Sequence, residues 1–194
     1  MGDIVAIPLR GAWLGNRGIL HEGTEIRRFH ASSLWITCRL QFRGRHREQW
    51  QPHHYTQLYF HDEAVALGAG HRPCAECRRG DYTAYREAWA TGLGVEVPSA
   101  TQLDRQLHTE RLVRGTHRRR LHRLPWRSLP AGVFVLLEDG PALVRDDAVV
   151  PWTTSGYDVP RARPSRGAVD LITPPASLAA IAAGYPVQVD SAAR

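Results

Sequence analysis

The stretch HRPCAEC, residues 71–77, places two of the chain's three cysteines, Cys74 and Cys77, two residues apart. This is the spacing of a metal knuckle, in which two thiolates on one tight turn face the same ion. Zinc takes four ligands from Cys, His or carboxylate, so a single pair leaves the site half built. Cys38, in LWITCRLQF, is the obvious third ligand, although a lone strand cysteine is often just a small buried apolar group. Three cysteines in a reducing compartment argue against a disulfide framework. A thioredoxin-like redox pair would need a preceding strand and a following helix; the segment before Cys74 reads as a helix, which favours metal.

Several elements must position these residues. LWITCRLQF, residues 34–42, alternates β-branched and aromatic residues and predicts a strand centred on Cys38. GILHEGTEIRRFH before it predicts a hairpin turning at residues 22–24. RGRHREQWQPHH, 43–54, reads as a polar loop, and YTQLYF, 55–60, as another strand. Asp62 stands where a helix cap is wanted, with Gly68 and Gly70 as stop signals for the helix it starts. After the knuckle, Asp81 is the expected cap of a second helix carrying Tyr82, Tyr85 and Trp89 at helical spacing, ending at Gly92 or Gly94. Ser99 with Gln102 forms a capping box for a third, whose Leu103 and Leu107 share a face. From Pro130 the composition turns β-rich, with turns at Asp139-Gly140 and Asp146-Asp147, followed by an alanine-rich helix after Pro174-Pro175. The expected fold class is α+β: a mixed sheet-and-helix zinc domain with helical extension over residues 1–128, then a small β-rich unit over 129–194.

Composition narrows the setting. The formal net charge is +6, and all 25 basic side chains are arginine, the better residue for bidentate phosphate contact and stacking. A basic domain of this size favours a nucleic-acid partner. The run RLVRGTHRRRLHRLPWR, 111–127, reads equally as a solvated connector or a phosphate-contacting segment. No apolar run approaches the ~20 residues of a membrane helix, and MGDIVAIPLRG lacks a signal-peptide pattern, so the cytoplasm is the expected location. There is no Gly-rich phosphate loop, carboxylate pair or nucleophile elbow.

Two segments resemble the amino-terminal zinc domain of the Ada-type DNA alkylation-repair proteins. DEAVALGAGHRPCAEC, 62–77, matches that family's short acidic and alanine-rich helix followed by Ala-Gly-aromatic-Arg-Pro-Cys-x-x-Cys, with His71 in the aromatic place. CRLQFRGRH, 38–46, matches its Cys-Arg-x-x-Cys segment, except that Phe42 stands where the second cysteine belongs. The resemblance spans about residues 34–79. It implies a small α/β domain binding Zn2+ through Cys38, Cys74 and Cys77, with Cys38 in the place of the cysteine that accepts a methyl group from a DNA phosphotriester. It also implies that Arg39, Arg45 and Arg72 meet the DNA backbone.

Phe42 changes the chemistry. Four thiolates on a dication give net −2; three with a neutral fourth ligand give net −1 and less nucleophilic sulfurs, which disfavours methyl transfer to Cys38. The fourth position falls to a histidine, His71 and His46 first, then His21, with His53, His54 and His61 as looser choices, or to water. A closed site is a staple for a DNA-binding protein. A water-filled one fits a zinc enzyme acting on a phosphodiester or a base. A third reading is an interaction protein that uses its carboxy-terminal β unit.

Overall fold

A computed structural model describes residues 3–44 and 48–193. Strand β1 (Trp13–Asn16) is followed by the hairpin β2 (His21–Glu22) and β3 (Glu25–Ile26), where His21 faces Ile26 and Glu22 faces Glu25, as the turn chemistry predicts. Strand β4 (Ile36–Arg39) carries Cys38, and β5 (Leu58–Phe60) ends the expected 55–60 segment. Helix α1 (Glu63–Gly68) is capped by Asp62, whose carboxylate accepts the Val65 amide at 2.8 Å. Strand β6 (Arg72–Pro73) leads into the knuckle, so a short parallel strand, and not the expected helix, directly precedes Cys74. These strands form a sheet ordered β5-β1-β4-β6, antiparallel except for the parallel pair β4–β6.

Helix α2 (Arg79–Leu93) begins two residues before Asp81, the expected cap. Arg78 occupies the capping position instead, and Asp81 lies in the first turn, where a carboxylate suits the helix dipole and accepts Arg78 Nε at 2.8 Å. The helix closes on Gly94 in the left-handed region (φ 65°), which a residue without Cβ adopts at little cost. Helix α3 (Ala100–Arg111) has the predicted capping box: Gln102 N donates to Ser99 Oγ, and Ser99 N donates to Gln102 Oε1.

The rest of the chain builds a second sheet from β7 (His122–Pro125), β8 (Phe134–Leu137), β9 (Gly140–Val144), β10 (Ala148–Thr153), β11 (Gly156–Tyr157), β12 (Arg161–Ala162) and β13 (Ala168–Leu171). Its order is β11-β10-β9-β8-β13-β7, with β12 also on β10, and helix α4 (Pro175–Ala182) follows. Phe-Val-Leu-Leu in β8 is apolar throughout because both faces of this sheet are covered. Val135 joins a core with Tyr82, Tyr85 and Trp89 of α2, Leu103 and Leu107 of α3 and Ala180 of α4. Phe134, one residue away, faces a second cluster with Ala64 of α1, Leu143, Val150 and Ile172. The larger core therefore draws on residues from both sides of position 128, and β7, before that position, pairs with β13 after it. The class is α+β. No helix among the described residues is long and apolar enough to cross a membrane.

Candidate metal centre

Cys38 is brought to the knuckle by backbone pairing. In the parallel ladder Ile36 stands beside Arg72 and Thr37 beside Pro73, and the next rung is the Cys74 amide donating to Thr37 O at 2.9 Å. The chain then turns tightly, with Arg78 N bonded to Cys74 O, and enters α2, where Tyr82 N bonds to Arg78 O. The result places the Sγ atoms of Cys38, Cys74 and Cys77 within 4.8 Å of one another. Thiolates at Zn–S of 2.3 Å in a tetrahedron lie roughly 3.8 Å apart, so the three need close by less than about 1 Å on a shared ion.

Two backbone amides face the sulfurs. Glu76 N donates to Cys74 Sγ and Arg39 N to Cys77 Sγ, both at 3.4 Å, the type of amide–sulfur contact that orients and tunes metal ligands. Hydrogen bonds among the three thiols hold Cys74, which accepts from Cys38 and Cys77, well below the usual thiol range, and raise Cys38 and Cys77. All three are free of disulfides; Cys74 and Cys77 are buried and Cys38 is half-buried. Three close sulfurs with backbone donors, those of Cys38, Cys74 and Cys77, could hold a metal together.

Arg78, directly after the second knuckle cysteine, locks this arrangement and was not singled out from the sequence. It is 2% exposed, stacks on Trp13 at 3.8 Å, and donates to Asp81, to Thr37 Oγ1 at 2.9 Å and to the buried Glu63 carboxylate. Glu63 also accepts Tyr185 Oη–H at 2.7 Å and Gln188 N at 3.0 Å. Asp62 accepts Tyr157 Oη–H and Asp190 N. Glu63 therefore ties the knuckle, through Arg78, to the carboxy-terminal segment, and Asp62, expected as a helix cap, bonds that segment as well. Arg78 was visible as the residue after the C-x-x-C pair; its pairing with Glu63, on a different element, was not.

The expected DNA-facing arginines divide. Arg39 is exposed beside Cys38. Arg72 is 2% exposed, pairs bidentately with Asp104 at 2.8 Å for both contacts, and gives its remaining donor to Pro73 O, so its guanidinium faces protein. Arg45 and His46 lie outside the described residues. Arg43 and Arg79, both exposed, flank the site in sequence, and Arg43 lies 5.0 Å over the ring of Phe42.

The other histidines stand outside the cysteine group. His71 is fully buried between Trp35 and Phe60, and its Nε2 accepts Arg17 Nε at 3.2 Å. His21 bonds Thr56 Oγ1 at 2.6 Å and meets Trp50 edge-on. His54 bonds Pro52 O, and His61 reaches Arg10 O. Among the described residues, the group of close ligand atoms is formed by the cysteines alone. Comparison of the chain with protein-family models, with curated proteins and with solved structures returns no match, and what bears on function is the cysteine centre and its charged margin.

Proposed function

We propose that this chain is a zinc protein that docks on the DNA backbone through arginines beside its cysteine centre, in DNA repair or modification. The observation that carries the metal reading is the meeting of Cys38 with Cys74 and Cys77 under two amide donors. The DNA reading draws on the net charge of +6, on the exposed Arg39, Arg43 and Arg79, and on the resemblance of residues 34–79 to Ada-type zinc domains. Zinc would supply a rigid cross-link between β4 and the start of α2 and a fixed local charge. The arginines would contact phosphate oxygens and set register without reading sequence.

X-ray absorption of the purified protein reads the centre directly: three sulfurs and one lighter ligand are expected, and two sulfurs would remove Cys38 from it. In a gel shift, duplex DNA is expected to bind at low salt with log K falling by about 0.9 per phosphate contact per decade of salt. The triple variant Arg39→Ala, Arg43→Ala, Arg79→Ala should flatten that slope. Absence of binding at low salt ends the DNA reading and leaves the metal reading intact.

A second reading, a zinc enzyme with water at the fourth position, takes its support from Cys38. It is half-buried where its partners are buried, so one side of the centre approaches solvent. Hydrolysis of bis-p-nitrophenyl phosphate by zinc-loaded protein, lost in Cys38→Ser, would favour it over the staple.

A further inference from the structure

Arg17 and Arg111 meet over Trp35, away from the cysteines, with Arg119 nearby. Trp35 is 2% exposed, and the guanidinium carbons of Arg17 and Arg111 lie 4.0 and 3.9 Å from its ring centroid. Arg111 donates to Gly70 O at 2.8 Å, Ser33 O at 2.6 Å and His108 Nδ1 at 3.1 Å, and its Nε is buried without a partner. Arg119 donates to Gly68 O at 2.6 Å, Ile172 O at 3.0 Å and Ala69 O at 3.3 Å. Arg17, 5% exposed, uses Nε on His71, and among the described residues its two terminal nitrogens have no hydrogen-bond partner.

Among the described residues no carboxylate pairs with any of the three. Asp104, which favours charge on Arg111, is itself committed to Arg72. Burial and mutual repulsion push Arg17 down to about 9 and Arg111 to about 8, and burial lowers Arg119 to about 10. Buried cations that no carboxylate pairs with are costly, and such clusters persist where an anion offsets them.

Arg17, Arg119 and Trp35 line a cavity of about 700 Å³, the size of a site for a small organic molecule. Much of the remaining wall is apolar, including Ile7, Leu58, Phe134 and Ile172. An inorganic anion would answer the charge and leave that wall in water; a neutral apolar molecule would cover the wall and leave Arg17 unpaired. An acid group on an apolar body satisfies both.

We propose that this cavity binds one amphipathic organic anion, an apolar chain carrying a carboxylate or phosphate that pairs with Arg17 and Arg119. The site is separate from the cysteine centre and does not depend on the function proposed for it.

Calorimetric titration of the full chain tests this with four probes, dodecanoate, dodecyl phosphate and dodecyltrimethylammonium below their micellar concentrations, and inorganic phosphate. One equivalent of at least one dodecyl anion should bind, with the cation and inorganic phosphate about 30-fold weaker or more. Either order of the two anions supports the site and identifies its head group. Arg17→Met should weaken the preferred anion about 30-fold, as expected for removing one member of a desolvated charge pair. Because Arg17 also packs on Trp35 and His71, a second variant, Ile7→Asp, places like charge on the wall from a half-buried segment and should weaken the anion about tenfold. Equal binding of cation and anion, no saturable binding of either anion at millimolar concentration, or unchanged affinity in Ile7→Asp together with a folded Arg17→Met would overturn the proposal.

Discussion

Cys38 meets Cys74 and Cys77 because a two-residue parallel ladder holds its strand against the knuckle, with Thr37 bonding on both sides of it. Replacing Cys74 by Ser should lower zinc affinity by more than about 100-fold, beyond the effect of losing an outer-shell contact. Zinc added to wild-type protein should raise Tm, since a ligand at 1,000 times its Kd stabilises by about 4 kcal/mol. Cys74→Ser should show no such rise, and a chelator titration followed by circular dichroism checks both. His71 makes a different prediction. Burial, with Arg17, Arg111 and Arg119 nearby, holds its imidazole well below 6.5. The folded chain refuses a proton that the unfolded chain accepts, so this contribution is complete above pH 6.5 and is lost as pH falls below it. The slope is about 1.4 kcal/mol per pH unit for one proton. His30 and His108 are lowered too, by partial burial, and add in the same direction. Urea titrations from pH 7 to 5 should show a slope shallower by about one proton in His71→Gln than in wild type. Equal slopes would mean that His71 titrates in the folded protein.

The contact between α2 and α4 sets the scale of elements. A Cβ at Gly92 would lie 2.2 Å from Ala179 O, so the two helices approach through a gap that only glycine leaves. Tyr85 Oη and Ser177 Oγ, 2.8 Å apart, fasten the same pair. Gly80, in the first turn of α2, has open space around its missing Cβ. Alanine has the better helix propensity by up to about 1 kcal/mol, and at Gly80 that gain should appear as a higher urea midpoint. At Gly92 the same substitution should destabilise by about 1–3 kcal/mol, because overpacking against a backbone carbonyl outweighs propensity. A Gly92→Ala protein as stable as Gly80→Ala would show that α4 moves aside freely. Read as sequence, Gly92 was a stop signal; it lies inside the helix, and its reason is a neighbour from residue 179. The caps at Asp62 and Ser99 and the left-handed Gly94 were legible because each depends on residues within one turn.

Across the whole molecule, the carboxy-terminal segment holds the start of α1. Tyr185, Gln188 and Asp190 satisfy the Glu63 and Asp62 carboxylates, and Glu63 in turn pairs with Arg78 behind the knuckle. Ending the chain at Gly184 should therefore destabilise it by more than about 3 kcal/mol, since buried carboxylates lose donors and the Tyr185 ring leaves the core. It should also speed zinc release to a chromophoric chelator, though every cysteine is retained. Unchanged release would separate the tail from the centre. The division near residue 128 followed a real shift in composition, but composition does not report which surfaces a strand covers. β8 is apolar on both faces because α2, α3 and α4 cover one and α1 with the carboxy-terminal segment covers the other.

By itself the sequence determined the local grammar: the strand around Cys38, the hairpin at 22–24, the helices capped at Asp62 and Ser99, the C-x-x-C turn and the arginine-borne charge. These follow from contacts between near neighbours, which spacing reports faithfully. Only the tertiary structure decided that Arg72 serves Asp104, that His71 sits under Arg17 outside the cysteine group, and that Arg17 and Arg111 stack on one tryptophan. An arginine's chemistry depends on what it is buried against, and that partner here comes from a different element, brought close by packing rather than by order along the chain.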